Sequence, residues 1–234
     1  MKPLLVPWAP AGHLYDADHL RTLHNHEFMN EPTFQAAYAR GVQATGLDYQ
    51  WYWRLHVGLW AAQSAVKLQG DFIECGVAKG FMSSAIMRLL DWNKTGKTFY
   101  LLDTFSGTSD AKFAGLYASS PEPVMKNFAE WRTVRFIVGT IPETLNQIDS
   151  KEIAFLHVDM NSSPPEIAAL EHLWDALVPG ALVLLDDYAY HGYRPQKLGV
   201  DAFAASKNVH VLSMPTGQGL LLKPPKENEQ PHET

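Results

Sequence analysis

The sequence predicts an α/β protein: a sheet of seven mostly parallel strands with helices on both faces, preceded by a helical N-terminal extension. Three observations predict it. Between residues 71 and 223, short apolar runs alternate with segments of helical periodicity. Four of the runs end in acids, at Glu74, Asp103, Asp159 and the pair Asp186-Asp187, at the carboxyl ends where such sheets receive ligands. The last two runs flank Pro215-Thr216-Gly217, a hairpin signal that makes one edge strand antiparallel.

The extension covers residues 1–70. Pro3, Pro7 and Pro10 exclude a regular helix over the first dozen residues. Asp18 is placed to cap a short helix beginning at His19. Asn30-Glu31-Pro32 is a helix start with proline in the first turn, and that helix is expected to run to about Arg40, with Gly41 as its stop. A longer helix is expected from about Tyr49 to Leu68, because Trp51, Leu55, Leu59, Ala62 and Val66 recur at helical spacing before Gly70.

The core domain spans 71–223. Strands are expected at 72–75, 98–102, 134–138, 153–158, 181–185, 209–213 and 219–223. Helices are expected at about 81–91, 124–129, 142–148, 165–177 and 194–205, with Pro179-Gly180 closing the fourth. Residues 224–234, PPKENEQPHET, read as a frayed tail.

Composition narrows the function. The chain has 234 residues, 46% of them apolar and 19% charged, which is a globular composition. With 25 acids against 19 bases the net charge is −6. That argues against a non-specific nucleic-acid binder, which needs many phosphate-facing bases. Cys75 is the only cysteine, so an intrachain disulfide is impossible and a cysteine-built zinc site is disfavoured. A reducing cytosol is the expected compartment. No leader pattern and no apolar run of about 18 residues occurs, so a soluble, unexported protein without membrane contact is expected.

The first loop, Glu74-Cys75-Gly76-Val77-Ala78-Lys79-Gly80, has glycines four apart. It lacks the G-x-G-x-x-G spacing of a dinucleotide site and the G-K-S/T of a P-loop. Its glycines allow close backbone approach to a bound molecule. An acid at the strand end repels phosphate and favours a cationic or hydroxyl-rich ligand. Asp103 ends the next strand, where a carboxylate accepts both hydroxyls of a ribose.

FIECGVAKG, FYLLDTFSG, IAFLHVDMN and ALVLLDDYAYHGY, in that order, resemble class I S-adenosylmethionine-dependent methyltransferases, and more narrowly the macrocin O-methyltransferase family, which methylates sugar hydroxyls. The resemblance covers roughly 71–223 and implies a Rossmann-like sheet. It implies that Glu74, Cys75, Gly76 and Gly80 wrap the methionine part of S-adenosylmethionine. It places Asp103, with Thr104 and Phe105, at the ribose, Gly139 and Thr140 near the adenine, and Asp159 beside the cofactor. It also implies a divalent cation, usually magnesium, held by Asp159, Asp186 and Asp187. Oxygen-only ligands suit magnesium or calcium better than zinc. A cation touching the substrate hydroxyl would favour its deprotonated form.

The chain departs from that family at one catalytic position. Asn161 stands where the family has its second acid, read as the general base, and an amide cannot take the proton. The base then lies elsewhere, or the chain is a cofactor-binding protein without turnover. His191 is the replacement favoured by position and intrinsic pKa.

Other residues have ordinary readings. His13, His19, His24 and His26 lack the i, i+4 pairing of a metal site and read as a segment folding over a hydroxylated small-molecule substrate. Tyr49, Trp51, Tyr52, Trp53 and Trp60 read as helix packing or a homodimer interface ahead of substrate stacking. Arg54, inside that stretch, is a candidate cation for a substrate carboxylate or the cofactor. Cys75 reads as a small packed residue.

Overall fold

A computed structural model describes residues 14–107 and 120–225. The early prolines, His13 and most of the expected tail lie outside the described residues. Where a helix from His19 is expected, the chain forms a hairpin of β1 (Tyr15–Ala17) and β2 (Leu20–Thr22). Its two turn residues, Asp18 and His19, have φ of 50° and 58°. Two successive left-handed residues match the twist of a two-residue hairpin, and aspartate tolerates that conformation better than most.

Helix α1 (Pro32–Thr45) begins at the expected proline but runs through Gly41 to Gly46, whose φ of 72° ends it. Gly41 is a packing glycine: a Cβ there would lie 3.0 Å from the Phe81 ring and carbonyl. Helix α2 spans Tyr52–Ala65. Both helices share one hydrophobic core with the sheet, through Phe34, Leu55, Leu59 and Ala62 against Phe72, Phe155 and Leu184.

The remaining chain alternates as expected: β3 (Asp71–Cys75), α3 (Phe81–Leu89), β4 (Phe99–Asp103), α4 (Pro121–Asn127), β5 (Val134–Val138), β6 (Ile153–Val158), α5 (Ser163–Leu173), β7 (Leu177–Leu185), α6 (Arg194–Ser206), β8 (Leu212–Ser213) and β9 (Gly219–Leu222). The helix expected at 142–148 is a 3-10 turn over Leu145–Gln147. Pro179-Gly180 does not close a helix; it lies inside β7. Pairing of β6 with β7 steps from Ile153↔Leu177 to Phe155↔Leu182, and the extra β7 residues form a bulge. A bulge is where proline, with no amide to donate, is tolerated in a strand.

The seven strands lie in the order β5-β4-β3-β6-β7-β9-β8. Strands β3 to β7 pair in parallel, while β9 runs antiparallel to both neighbours. Side chains alternate between faces: Phe72 packs with α1, α2 and α3, and Ile73 with α5 and α6. The order reverses between β3 and β6, so their carboxyl ends open a crevice. Among the described residues no helix is long and apolar enough to cross a membrane.

Candidate active site

A cavity of about 490 Å³ lies over the carboxyl ends of β3, β4, β6 and β7. Its floor is built by register. Glu74 and His157, each the penultimate residue of its strand, are paired neighbours on β3 and β6. The His157 imidazole sits with Nδ1 2.8 Å from Glu74 Oε1 and Nε2 3.8 Å from Asp186 Oδ1. Burial alone would lower the His157 pKa, but Asp186 and Glu74 outweigh it and raise it to about 10. His157 is therefore wedged between two acids that favour its protonated form.

A second buried cation comes from α2. Arg54, 3% exposed, donates from Nη1 to Asp186 Oδ2 at 2.5 Å and to the Asp186 carbonyl at 3.1 Å. Its Nε reaches Asp18 Oδ2 at 3.2 Å, and its Nη2 donates to the Thr216 carbonyl at 3.2 Å. The other Asp186 oxygen, Oδ1, accepts from Gln218 Nε2 at 2.9 Å. Burial pushes the Asp186 carboxyl up, but Arg54 and His157 hold it well below the usual carboxylate range.

Its neighbours go the other way. Burial and the Asp186 charge push Asp187 up to about 7, and its Oδ2 is buried without a partner. Asp159 is raised well above the ordinary value by burial and then by Asp186 and Asp187. Glu166, in the first turn of α5, is raised to about 8 by burial and Asp187. The site concentrates negative charge in a poorly solvated volume.

The glycine loop is braced from β4. Asp103 Oδ2 accepts from the amides of Val77 and Ala78, each at 2.7 Å, and Oδ1 accepts from the Phe105 amide at 2.7 Å. Gly76 has φ of 92°, and a Cβ there would lie 1.8 Å from the Asp159 carbonyl oxygen. Only glycine lets the two strand ends meet this closely.

Of the residues expected at the site, Glu74, Gly76, Asp103, Thr104, Gly139, Thr140, Asp159, Asn161, Asp186 and Asp187 line the cavity. Four do not. Strand alternation turns Cys75 into the opposite core, where burial pushes its thiol far up. Gly80 starts α3 against Phe128, which a Cβ would meet at 2.4 Å. Phe105 packs into the core beside Phe136. His191 lies on an exposed turn. Asn161 accepts from the Tyr193 hydroxyl at 2.5 Å, and its Nδ2 lies 3.5 Å from Asp159 Oδ1.

Sequence reading missed His157, Gln218 and the Asp18 latch. His157 carried one usable signal: it interrupts an apolar strand at the same position from the end as Glu74.

The donor set was weighed against a divalent cation. Ligand atoms of His157, Asp159 and Asp186 do lie within 4.8 Å of one another. However, both Asp186 oxygens already accept hydrogen bonds, Oδ2 from Arg54 and Oδ1 from Gln218, and His157 Nδ1 is engaged with Glu74. As arranged, Asp186 offers magnesium no free oxygen and sets a fixed guanidinium beside the place where the ion would bind.

Residues 73–188 match the family described as a methyltransferase domain. The matched segment takes in the strand ends that build the cavity, so the chain carries a methyltransferase domain. A curated relative of this methyltransferase, the 8-demethyl-8-(2,3-dimethoxy-alpha-L-rhamnosyl)-tetracenomycin-C 4'-O-methyltransferase of Streptomyces olivaceus, is 29% identical over 145 residues, 53% of this chain and 55% of that one. The chain thus spans about half the length of the curated relative it matches. Among solved structures, the O-methyltransferase NovP superposes with a TM-score of 0.62 at 22% identity, covering 73% of this chain and 79% of that one. The calicheamicin methyltransferase CalS11 superposes at 0.60 with 14% identity, covering 85% and 94%. These structures share the methyltransferase fold.

Proposed function

We propose that this methyltransferase moves the methyl group of S-adenosylmethionine to a hydroxyl of a sugar or another small hydroxylated natural product. The observation that carries the reading is one cavity lined both by the braced glycine loop and by the strand-end acids Asp159 and Asp187. By family resemblance, the loop from Gly76 to Ala78 takes the amino-acid end of the cofactor, Asp103 the ribose, and Gly139 with Thr140 the adenine. The acceptor then lies on the Asp187 side, against the aromatic walls of Trp51, Tyr190 and Tyr193.

The hydroxyl oxygen forms its bond to the methyl carbon as the carbon–sulfur bond breaks. The bonding pair returns to sulfur, leaving neutral S-adenosylhomocysteine. The hydroxyl proton passes to the Asp187 carboxylate. A carboxylate whose pKa is pushed up to about 7 is matched to that task near neutral pH. Asn161 cannot take the proton; fixed by the Tyr193 hydroxyl, it orients the acceptor side of the cavity. Most of the rate enhancement then comes from positioning and fixed charge.

Two relatives support a sugar acceptor. The Streptomyces olivaceus protein is named for 4'-O-methylation of a rhamnosyl group, and CalS11 is named a TDP-rhamnose 3'-O-methyltransferase. The test is calorimetric titration with S-adenosylmethionine and S-adenosylhomocysteine, then assay of S-adenosylhomocysteine release with rhamnosides, other sugars and phenols. Binding of both cofactor forms and release with a glycoside are expected. Failure of both forms to bind at millimolar concentration refutes the reading.

A further inference from the structure

We propose that the Arg54 guanidinium takes the place of a divalent cation in this site, so that the chain holds its strand-end carboxylates without a metal. The inference deepens the proposed O-methyl transfer and borrows its site.

Arg54 is built in as a fixture. It enters from α2 and is tied by four contacts to three separate segments: the hairpin turn at Asp18, the β7 end at Asp186, and the carbonyl of Thr216 ahead of β9. Its carbon Cζ lies 5.5 Å from the Trp51 ring centre and 5.0 Å from that of Tyr190, so aromatic faces flank the planar group. The opposite side of Asp186 is closed by Gln218, itself fully buried and held by the Thr216 hydroxyl at 2.9 Å. Asp186 therefore has a fixed cation on one oxygen and an amide on the other.

This arrangement supplies what a metal would supply to Asp186, namely neutralisation and orientation, and it excludes a metal by the same contacts. A divalent ion on Asp186 would have to displace the guanidinium from Oδ2 or the Gln218 amide from Oδ1, or bind beside a fixed positive charge in a poorly solvated cavity. Arg54 is thus a positioning residue. It fixes Asp186, and through the adjoining backbone it fixes where Asp187 lines the cavity.

The experiment is manganese titration, with the metal alone as probe, read by electron paramagnetic resonance and calorimetry on the full chain. The wild type is compared with Arg54→Met and with the double variant Arg54→Met/Asp18→Asn. The double variant relieves the Asp18 carboxylate that Arg54→Met strands, and serves if the single variant does not fold. Wild type is expected to show no saturable manganese site up to millimolar concentration. The folded Arg54 variant is expected to gain one, with affinity increased at least tenfold, which Asp186→Asn then removes. Melting temperature should be unchanged by magnesium or by chelator in wild type alone. A saturable wild-type site that Asp159→Asn or Asp186→Asn abolishes would overturn the inference. So would an Arg54 variant with no gain in affinity. None of these readouts needs cofactor binding or turnover, so failure of the methyl-transfer reading is seen separately in the cofactor titration.

Discussion

Replacing Asn161 by aspartate supplies the acid that the resemblance to the macrocin O-methyltransferase family implies at this position, and puts it beside one already present. The Asn161 amide nitrogen lies 3.5 Å from Asp159 Oδ1. Two carboxylate charges at that separation repel by ~5 kcal/mol at an effective dielectric of about 20. Both residues are only partly buried, so solvent screening brings the expected cost to about 2 kcal/mol. The sign follows from protons. At acid pH the pair shares a proton in the folded state and the cost is small. As pH rises through the raised folded-state pKa, both groups must ionise and the stability is lost. The assay is thermal melting of Asn161→Asp against wild type at pH 5.5 and pH 8.5. Near-equal melting is expected at the lower pH, and a deficit of about 4–8 °C at the higher, for a chain of this size. An equal deficit at both values would refute the electrostatic argument. Turnover at neutral pH should not rise. A tenfold gain would show that the acid at 161, not Asp187, is the base the chain lacks.

Asp187→Asn should lower turnover by about 10²–10⁴ while leaving S-adenosylhomocysteine affinity unchanged in calorimetry. In wild type, turnover should fall as pH drops below about 7, where Asp187 takes up its proton. His157 has its folded pKa raised to about 10, so its stabilisation is complete below its unfolded value of about 6.5 and is lost as pH rises through about 10. Melting curves across that window should slope downward in wild type and flatten in His157→Gln. Gly76→Ala should give no soluble folded protein, because its Cβ would lie 1.8 Å from the Asp159 carbonyl oxygen at a φ of 92°. Native-like circular dichroism from that variant would contradict the closeness of the two strand ends.

The sheet was legible in the sequence because its central strands are buried on both faces and read as near-continuous apolar runs, with the edge strand at 134–138 still rich in β-branched and aromatic residues. The runs at 134–138 and 153–158 appear in the structure with those bounds. The acids at their ends were legible too, since a polar residue closing such a run marks the rim of the sheet. Punctuation misled where glycine and proline served packing or a bulge. Gly41 stops nothing because its missing side chain makes room for Phe81, and Pro179-Gly180 sits in a β7 bulge. Asp18 and His19 turn a hairpin that propensity alone does not distinguish from a helix cap.

By itself, then, the sequence determined the strand–helix alternation, the glycine loop and five carboxylates at strand ends, because each is written in local pattern. Only the tertiary structure decided which charges meet. Glu74 and His157 are 83 residues apart, and Arg54 and Asp186 are 132 apart. Those pairings depend on the strand order and on where α2 packs across the crevice. Of the three carboxylates that the family resemblance groups around a cation, folding gives Asp186 an arginine partner from α2 and sets Asp159 and Asp187 beside it in the cavity lining.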